Sequence, residues 1–396
     1  MSGSPVYLNQ LGVVCALGSG KRAVREALFA SDGPGGVAVG DWYTPGRRLA
    51  LGKVHAQLAD LSAYALPFRS RNNALLLTAL EQIGAAVDAA IARHGAERVA
   101  VVVGTSTSGI GESERALPQL RADGQWPADF HYAQQEIGAP SRFLALACGA
   151  RGPASTLSTA CSSSAKALAS AARLLRAGVV DAVVAGGADS LCGFTIAGFS
   201  ALEAVAAERC NPFSRNRAGI NIGEGAALFL MTREPGPVRL AGWGESSDAY
   251  HMSAPDPQGH GAIDALRQAL QRAGWSAGQV DYINLHGTAT GHNDAMESRA
   301  VEAVLGGGVA ASSTKPLTGH TLGASGAIEA ALCWLALADN PQHRLPPHWW
   351  DGQPDPELAT LALVAPGACA ATPLRRVLSS SFAFGGSNAV LALATE

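Results

Sequence analysis

The chain has 396 residues, 47% of them apolar and only 15% charged, against roughly 25% charged in an average soluble protein. That composition supplies a large core and excludes a disordered chain. The shortage of charge points to extensive buried surface, a subunit interface included. The 29 basic and 32 acidic residues give a net charge of -3 with no basic block, so nucleic acid is excluded as the expected partner.

The N-terminal MSGSPVYLNQLGVVCALGSG has no basic n-region and reads as a strand and turn, so no signal peptide is expected. No apolar run reaches the roughly 18 residues of a membrane helix. Residues 98–104 (RVAVVVG) form a β-branched run, read as a buried parallel strand, and end in the turn TSTSG. STACSSSAKALASAARLLRAG then passes from a turn into an Ala-rich helix, and residues 179–185 (VVDAVVA) follow as a strand. EPGP at 234–237 reads as a boundary. Beyond it come an amphipathic helix over 261–273 and a strand over 280–287 (VDYINLHG) that ends in TATG. TGHTLGASGAIEAALCWLALAD repeats the passage from turn to Ala-rich helix. A structured Pro-rich loop covers 344–356, and 377–382 with 389–393 close as a hairpin around AFGGSN. A strand ending in GTSTSG or GTATG, followed by a turn and an Ala-rich helix, occurs twice in the same order. The expected fold is therefore α/β with a duplicated core, its halves spanning 1–235 and 236–396.

Seven cysteines are scattered without a CxxC pair, which disfavours disulfide and zinc frameworks and fits a reducing cytoplasm. Cys161 is the exception to a bland core role. It sits where a turn becomes a helix, and such an end favours a thiolate and supplies N–H groups to an oxyanion. A buried inert cysteine would also fit this feature alone. His286 ends the VDYINLHG strand and His320 is read at the start of the second Ala-rich helix. Strand ends and helix starts on one edge of a parallel sheet are where α/β enzymes place their sites. A pseudo-two-fold between the halves would set His320 opposite Cys161.

STACSSS, NPFSRNRAGINIGEGAA, INLHGTATGHNDAMES, SSTKPLTGHTLGASGAIEAA and SFAFGGSN, in this order, resemble the β-ketoacyl-acyl-carrier-protein synthases. These are decarboxylating condensing enzymes of the thiolase superfamily, and the resemblance runs from the N-terminal strand to the last residues. It implies a thiolase-like duplicated αβαβα sandwich and a dimer. It also implies that Cys161 accepts the acyl group, and that His286 and His320 are the pair at which malonyl-carrier-protein loses carbon dioxide. Lys315 and Glu329 match a buried pair that positions the histidines, and Thr288 and Thr290 match the hydroxyls that hold the phosphopantetheine amides. Phe384 matches the residue whose N–H completes the oxyanion hole and whose ring gates acyl entry, and Phe199 matches a second gating aromatic. No metal or redox cofactor is implied, because the substrates arrive on the phosphopantetheine of acyl carrier protein.

The same resemblance carries alternatives. A degradative thiolase would need a second cysteine in the FAFGGSN turn, and Cys369 precedes it. Enzymes primed by acyl-coenzyme A carry Asn at the position of His320. A chain-length factor, the non-elongating partner of a heterodimeric synthase, lacks the nucleophile, yet such a subunit is a candidate partner beside a second copy of the chain. Glu203 stands where a basic carrier-protein contact is expected, which leaves Arg69 and Arg71 as candidate docking residues. TATGHNDAMES and LPPHWWDGQ look closer to the condensing enzymes of aryl-polyene pigment pathways than to housekeeping ones.

Overall fold

A computed structural model describes residues 4–395. Two copies of one sheet make up its core. In the first, β1 (Tyr7–Cys15), β2 (Val99–Gly104), β3 (Ala154–Leu157), β4 (Ala182–Asp189) and β5 (Gly225–Thr232) lie side by side in the order β3-β2-β4-β5-β1. In the second, β6 (Val238–Ser247), β7 (Tyr282–Asn284), β8 (Ala310–Ser312), β9 (Arg376–Ala383) and β10 (Ser387–Ala394) lie in the order β8-β7-β9-β10-β6. Counted within its half, each sheet reads third, second, fourth, fifth, first. In both, the first three strands in space are parallel and antiparallel ladders add the last two. A duplicated sequence with the same strand order and directions explains the two echoes. The sheets touch at two pairs, Tyr7↔Arg239 and Leu8↔Val238.

The uninterrupted RVAVVVG run becomes β2, buried along its whole length and parallel to both neighbours; a strand covered on both faces needs no polar side. Between the half-sheets lie the helices Ser163–Arg176 and Ser325–Ala338. The second is buried almost all round, as a helix without a polar face must be. Their approach depends on small residues: a Cβ at Gly326 would lie 2.7 Å from the Ala165 Cβ. Arg71–Glu81, Gly84–His94 and Ala139–Cys148 cover the outer face of the first sheet, and His260–Ala273 with Gly291–Leu305 cover that of the second. Helix, sheet, helix, sheet, helix is the αβαβα sandwich of the thiolase-like fold, with one core cluster on either side of each sheet.

Two local readings need correction. Of the strand read over 280–287, Tyr282–Asn284 form the ladder pairs, and Asp281 N and Leu285 N add one backbone bond at each end. After Leu285 the backbone leaves the sheet, with φ of 36° at Gly287 and 62° at Ala289. His320 is not at the start of the long helix, which begins at Ser325. It stands in a loop after the short helix Lys315–Thr318, where its N–H and C=O bond Asn221 O and Gly223 N. Pairing with the first half, and not a helix terminus, fixes its place. Among the described residues no single helix is long and apolar enough to cross a membrane.

Candidate active site

The serines of STACSSSA knit the turn that presents the thiol. Ser163 Oγ accepts from Thr159 N at 2.8 Å, and Ser162 Oγ donates to Thr159 O at 2.8 Å. Ala160 takes a left-handed φ of 51°, strain that this over-determined turn can hold. Cys161 lies buried just ahead of the Ser163–Arg176 helix. His320 Nε2 is 2.9 Å from Cys161 Sγ. The His286 ring stands edge-on to His320, with centroids 5.2 Å apart at 84°. One sulfur and two imidazole nitrogens thus lie within 4.8 Å of one another.

Behind His286 stands Lys315, whose side chain is 1% exposed. Its ammonium lies 3.3 Å from His286 Nδ1 and donates to Glu329 Oε1 and to His286 O. An ammonium offers only donors, so Nδ1 must be the acceptor and the ring proton sits on Nε2, toward the cavity. Burial, and then the Lys315 charge, hold both imidazoles well below the ordinary histidine range. Both rings are therefore neutral. Burial also pushes the Cys161 thiol up to about 12, against the opposing pull of Lys315 and of an N–H from Phe384. The expected helix-stabilised thiolate is thus corrected: the resting sulfur is a thiol with a base at hydrogen-bond distance. Desolvation of a fully buried sulfur outweighs a helix end that begins beyond it. Cys161, His286 and His320 have the spacing of metal ligands, but the adjacent Lys315 ammonium opposes a cation there.

Phe199 and Phe384 pack with ring centroids 5.5 Å apart. With Cys161, both histidines, Thr288 and Thr290, they line a cavity of about 360 Å³. The two threonine hydroxyls are 2.9 Å apart. Phe384 opens the turn Phe384–Gly386, where Gly385 and Gly386 have φ of 78° and 72°, angles that glycine adopts without steric penalty. All the expected residues named so far gather at this cavity or directly behind it. Arg71 and Arg69 do not. The Arg71 guanidinium turns inward to the buried Glu224, at 2.8 Å from Nε to Oε2, which corrects its reading as a docking residue. Arg69 spends Nε and Nη2 on the carbonyls of Tyr64 and Ser62.

Three buried carboxyl groups behind the site were not singled out from the sequence. Glu297 accepts from His286 N and Gly287 N, both at 2.6 Å. Asp294 accepts from Phe213 N at 2.8 Å and Thr288 N at 3.1 Å. Their spacing of three on one helix face was the available signal. Asp189, at the end of β4, accepts from Thr105 Oγ1, from Ser106 N and Thr107 N, and from Gly323 N at 2.6 Å. It thereby ties the loop after His320 to the first half. No local pattern marks it.

Residues 70–235 match the family described as Beta-ketoacyl synthase, N-terminal domain, and residues 238–347 match Beta-ketoacyl synthase, C-terminal domain. The 3-oxoacyl-[acyl-carrier-protein] synthase 2 of Rhizobium meliloti (strain 1021) is 37% identical over 280 residues, 64% of this chain and 65% of that protein, just under two thirds of its length. Nodulation protein E of the same organism is 34% identical over 308 residues, 74% of this chain and 75% of that protein. Among solved structures, the ketosynthase (ApeO) in complex with its chain length factor (ApeC) from Xenorhabdus doucetiae superposes with a TM-score of 0.88. It is 46% identical, over 99% of this chain and 98% of that one. Matches in both halves, at this coverage and with this fold, place the chain in the β-ketoacyl synthase family.

Proposed function

We propose that the chain is a 3-oxoacyl-acyl-carrier-protein synthase that holds an acyl group on Cys161 and condenses it with malonyl-carrier-protein. The observation that carries this reading is the 2.9 Å contact of His320 Nε2 with Cys161 Sγ, beside a His286 whose Nδ1 faces Lys315. In the first step Sγ attacks the acyl thioester while His320 takes its proton and passes it to the departing carrier thiol. His320 Nδ1 has no hydrogen-bond partner among the described residues. No protein group holds that ring to one tautomer, so it is free to accept from the thiol and later to donate.

Malonyl thioester then loses carbon dioxide, and the electron pair of the broken bond forms an enolate. Its oxygen takes the Nε2–H of His286, fixed by Lys315, and that of His320. Each such donor in a water-poor site is worth roughly 3 kcal/mol. The enolate carbon attacks the acyl-cysteine carbonyl, whose oxyanion takes the N–H groups of Cys161 and Phe384. Collapse expels the Cys161 sulfur, which regains through His320 the one proton the cycle consumes. Thr288 and Thr290 hold the pantetheine amides, and Phe199 with Phe384 gate the acyl entrance. Nothing in this sequence of steps calls for a metal or redox cofactor.

The reading extends to assembly and setting. Likeness to a ketosynthase solved with its chain length factor supports a dimer, with a second copy or a chain-length-factor-like subunit, and acyl carrier protein as the docking partner, with Arg69 its remaining candidate contact. The nucleophile belongs to a half spanning 1–235 and both histidines to a half spanning 236–396. The pathway reading is an aryl-polyene type in the cytoplasm. A chain-length-factor role for this chain is disfavoured by the thiol itself. The test is to load purified protein from acyl-carrier-protein and map the adduct by mass spectrometry, then assay elongation of saturated and polyene acyl groups. An adduct on Cys161 that is absent in Cys161→Ala is expected; an adduct persisting in Cys161→Ala would end the assignment.

A further inference from the structure

The turn that carries Phe384 is held from two sides. Within its own half, Gly385 N donates to Met252 O at 2.8 Å, Asp248 N donates to Gly386 O at 2.9 Å, and Asn388 Nδ2 donates to Asp248 Oδ1 at 2.6 Å. From the first half, Phe199 packs on the Phe384 ring, and the short segment 161–166 meets the backbone and the foot of the turn. Phe384 lines the same cavity as Cys161, and its N–H favours the ionised sulfur. Ser387, where the turn re-enters the sheet as β10, is met by two side chains. Lys166 Nζ donates to Ser387 Oγ at 2.6 Å, and Ser387 Oγ lies 3.0 Å from Ser162 Oγ. Ser162 spends its own hydrogen on Thr159 O and an ammonium has no acceptor, so the string runs one way: Lys166 to Ser387 to Ser162 to Thr159.

Lys166 is half-buried on the helix that follows the nucleophile and makes no ion pair within 4 Å among the described residues. Glu245, whose charge acts on it, is bonded to Arg173. A charge half withdrawn from water and given a hydroxyl for a partner loses solvation that an apolar side chain of equal length would not. Simple space-filling does not explain it.

We propose that Lys166 is the positioning residue of the acyl gate: through Ser387 it fixes the foot of the Phe384 turn, and so sets where the Phe384 N–H and ring rest over Cys161. The proposal rests on the reading of Phe384 as gate and oxyanion donor. Acylation turns the Cys161 sulfur into a thioester and alters its contact with the Phe384 N–H. The Lys166–Ser387–Ser162 string takes no part in that chemistry, so it keeps the turn in register through the cycle.

Lys166→Met and Ser387→Ala, singly and combined, test it with two readouts. One is amide hydrogen exchange over residues 383–389 of the intact, substrate-free protein. The other is single-turnover acylation of Cys161 by a series of saturated carrier-protein thioesters, short to long. Each single variant is expected to speed exchange in that segment by roughly 10–100-fold, the effect of one lost charged hydrogen bond, while the amides of Ser163–Arg176 keep their protection. The ratio of long-chain to short-chain acylation rates is expected to move in both, and the double variant to go no further than either single one. Unchanged exchange in the single variants, or effects that add in the double, would overturn the assignment. If the unaltered protein never acylates Cys161, the condensing-enzyme reading fails instead, and the exchange measurement still reports on Lys166.

Discussion

Lys315→Met separates the electrostatic work of the site from its packing. Methionine is about as long as lysine, so the change leaves the volume nearly filled and removes every contact of the ammonium: to Glu329, to His286 O and to His286 Nδ1. Stripping one partner from a buried ion pair costs ~3–5 kcal/mol while the other stays charged. Glu329 has an escape, because burial already pushes its pKa above the ordinary 4.5. Without the ammonium it stays protonated further up the pH scale. A carboxyl with a raised folded pKa contributes stability that is complete below its unfolded pKa and is lost as pH rises. The variant is therefore expected to unfold at progressively lower urea than the wild type between pH 5 and pH 8, and Lys315→Met/Glu329→Gln to recover most of the loss.

Catalysis is expected to divide differently. With no cation at Nδ1, the His286 proton is free to sit on the wrong nitrogen, so the enolate loses a donor and carbon dioxide release falls by roughly 10²–10³-fold. Acylation depends on the His320–Cys161 contact and is expected to fall less. The double variant, restored in stability, is expected to remain slow in decarboxylation. Urea midpoints at the two pH values, beside acyl loading and carbon dioxide release, supply the measurements. A Lys315→Met protein as stable as wild type at pH 8, or one losing both partial reactions equally, would refute the account.

The two histidines are expected to part company. His286→Ala should spare acyl loading, whereas His320→Ala, which removes the base 2.9 Å from the sulfur, should slow both loading and decarboxylation; single-turnover rates of each step decide it. Phe384→Ala should leave the backbone donor in place and, the residue being only partly buried and lining the cavity, change the melting temperature little while flattening acyl-length preference. A loss of ~3–5 kcal/mol, the cost of a core cavity, with preference intact would mean the ring only packs. His348, whose Nδ1 accepts from Ser313 N and whose Nε2 donates to Pro212 O, is pushed down by burial to about 4 from 6.5. Its unfolded form binds the proton first, so stability should drain away as pH falls from about 6.5 toward 4, by ~3 kcal/mol for this residue. His348→Gln should flatten that part of the urea-midpoint profile, and an unchanged slope would show the ring is not the group responsible.

Local pattern carried the strands and helices well. Residues 99–104 and the second Ala-rich segment are buried on nearly every side, which leaves an unbroken apolar run, whereas the first Ala-rich helix keeps a polar face with Lys166 and Arg173. The repeated turn-and-helix order exposed the duplication, because two sheets with the same connections need the same punctuation. Boundaries failed where the chain turns into the site. Residues 285–290 keep a strand-like composition, yet Gly287 and Ala289 bend them away to bring His286 and Thr288 to the cavity.

What stayed illegible shares one property, which is burial acting over long separations. Arg71 reads as a surface residue until Glu224, 153 residues on, takes its guanidinium. Nothing around Asp189 announces that it will collect donors from Thr105, Ser106, Thr107 and Gly323. The Cys161 thiol shows the same limit in its chemistry. A helix start is a local feature and argues for a thiolate, whereas complete desolvation is a property of the assembled fold and reverses the sign. Residue type and motif order therefore identify which groups meet. Which of them carries a proton, and which is held in place by another, depends on neighbours that only the folded chain supplies. Lys166 and Lys315 make the point together: one lies five residues from the nucleophile and the other 154, yet each acts through a group that the opposite half or a distant helix delivers to it.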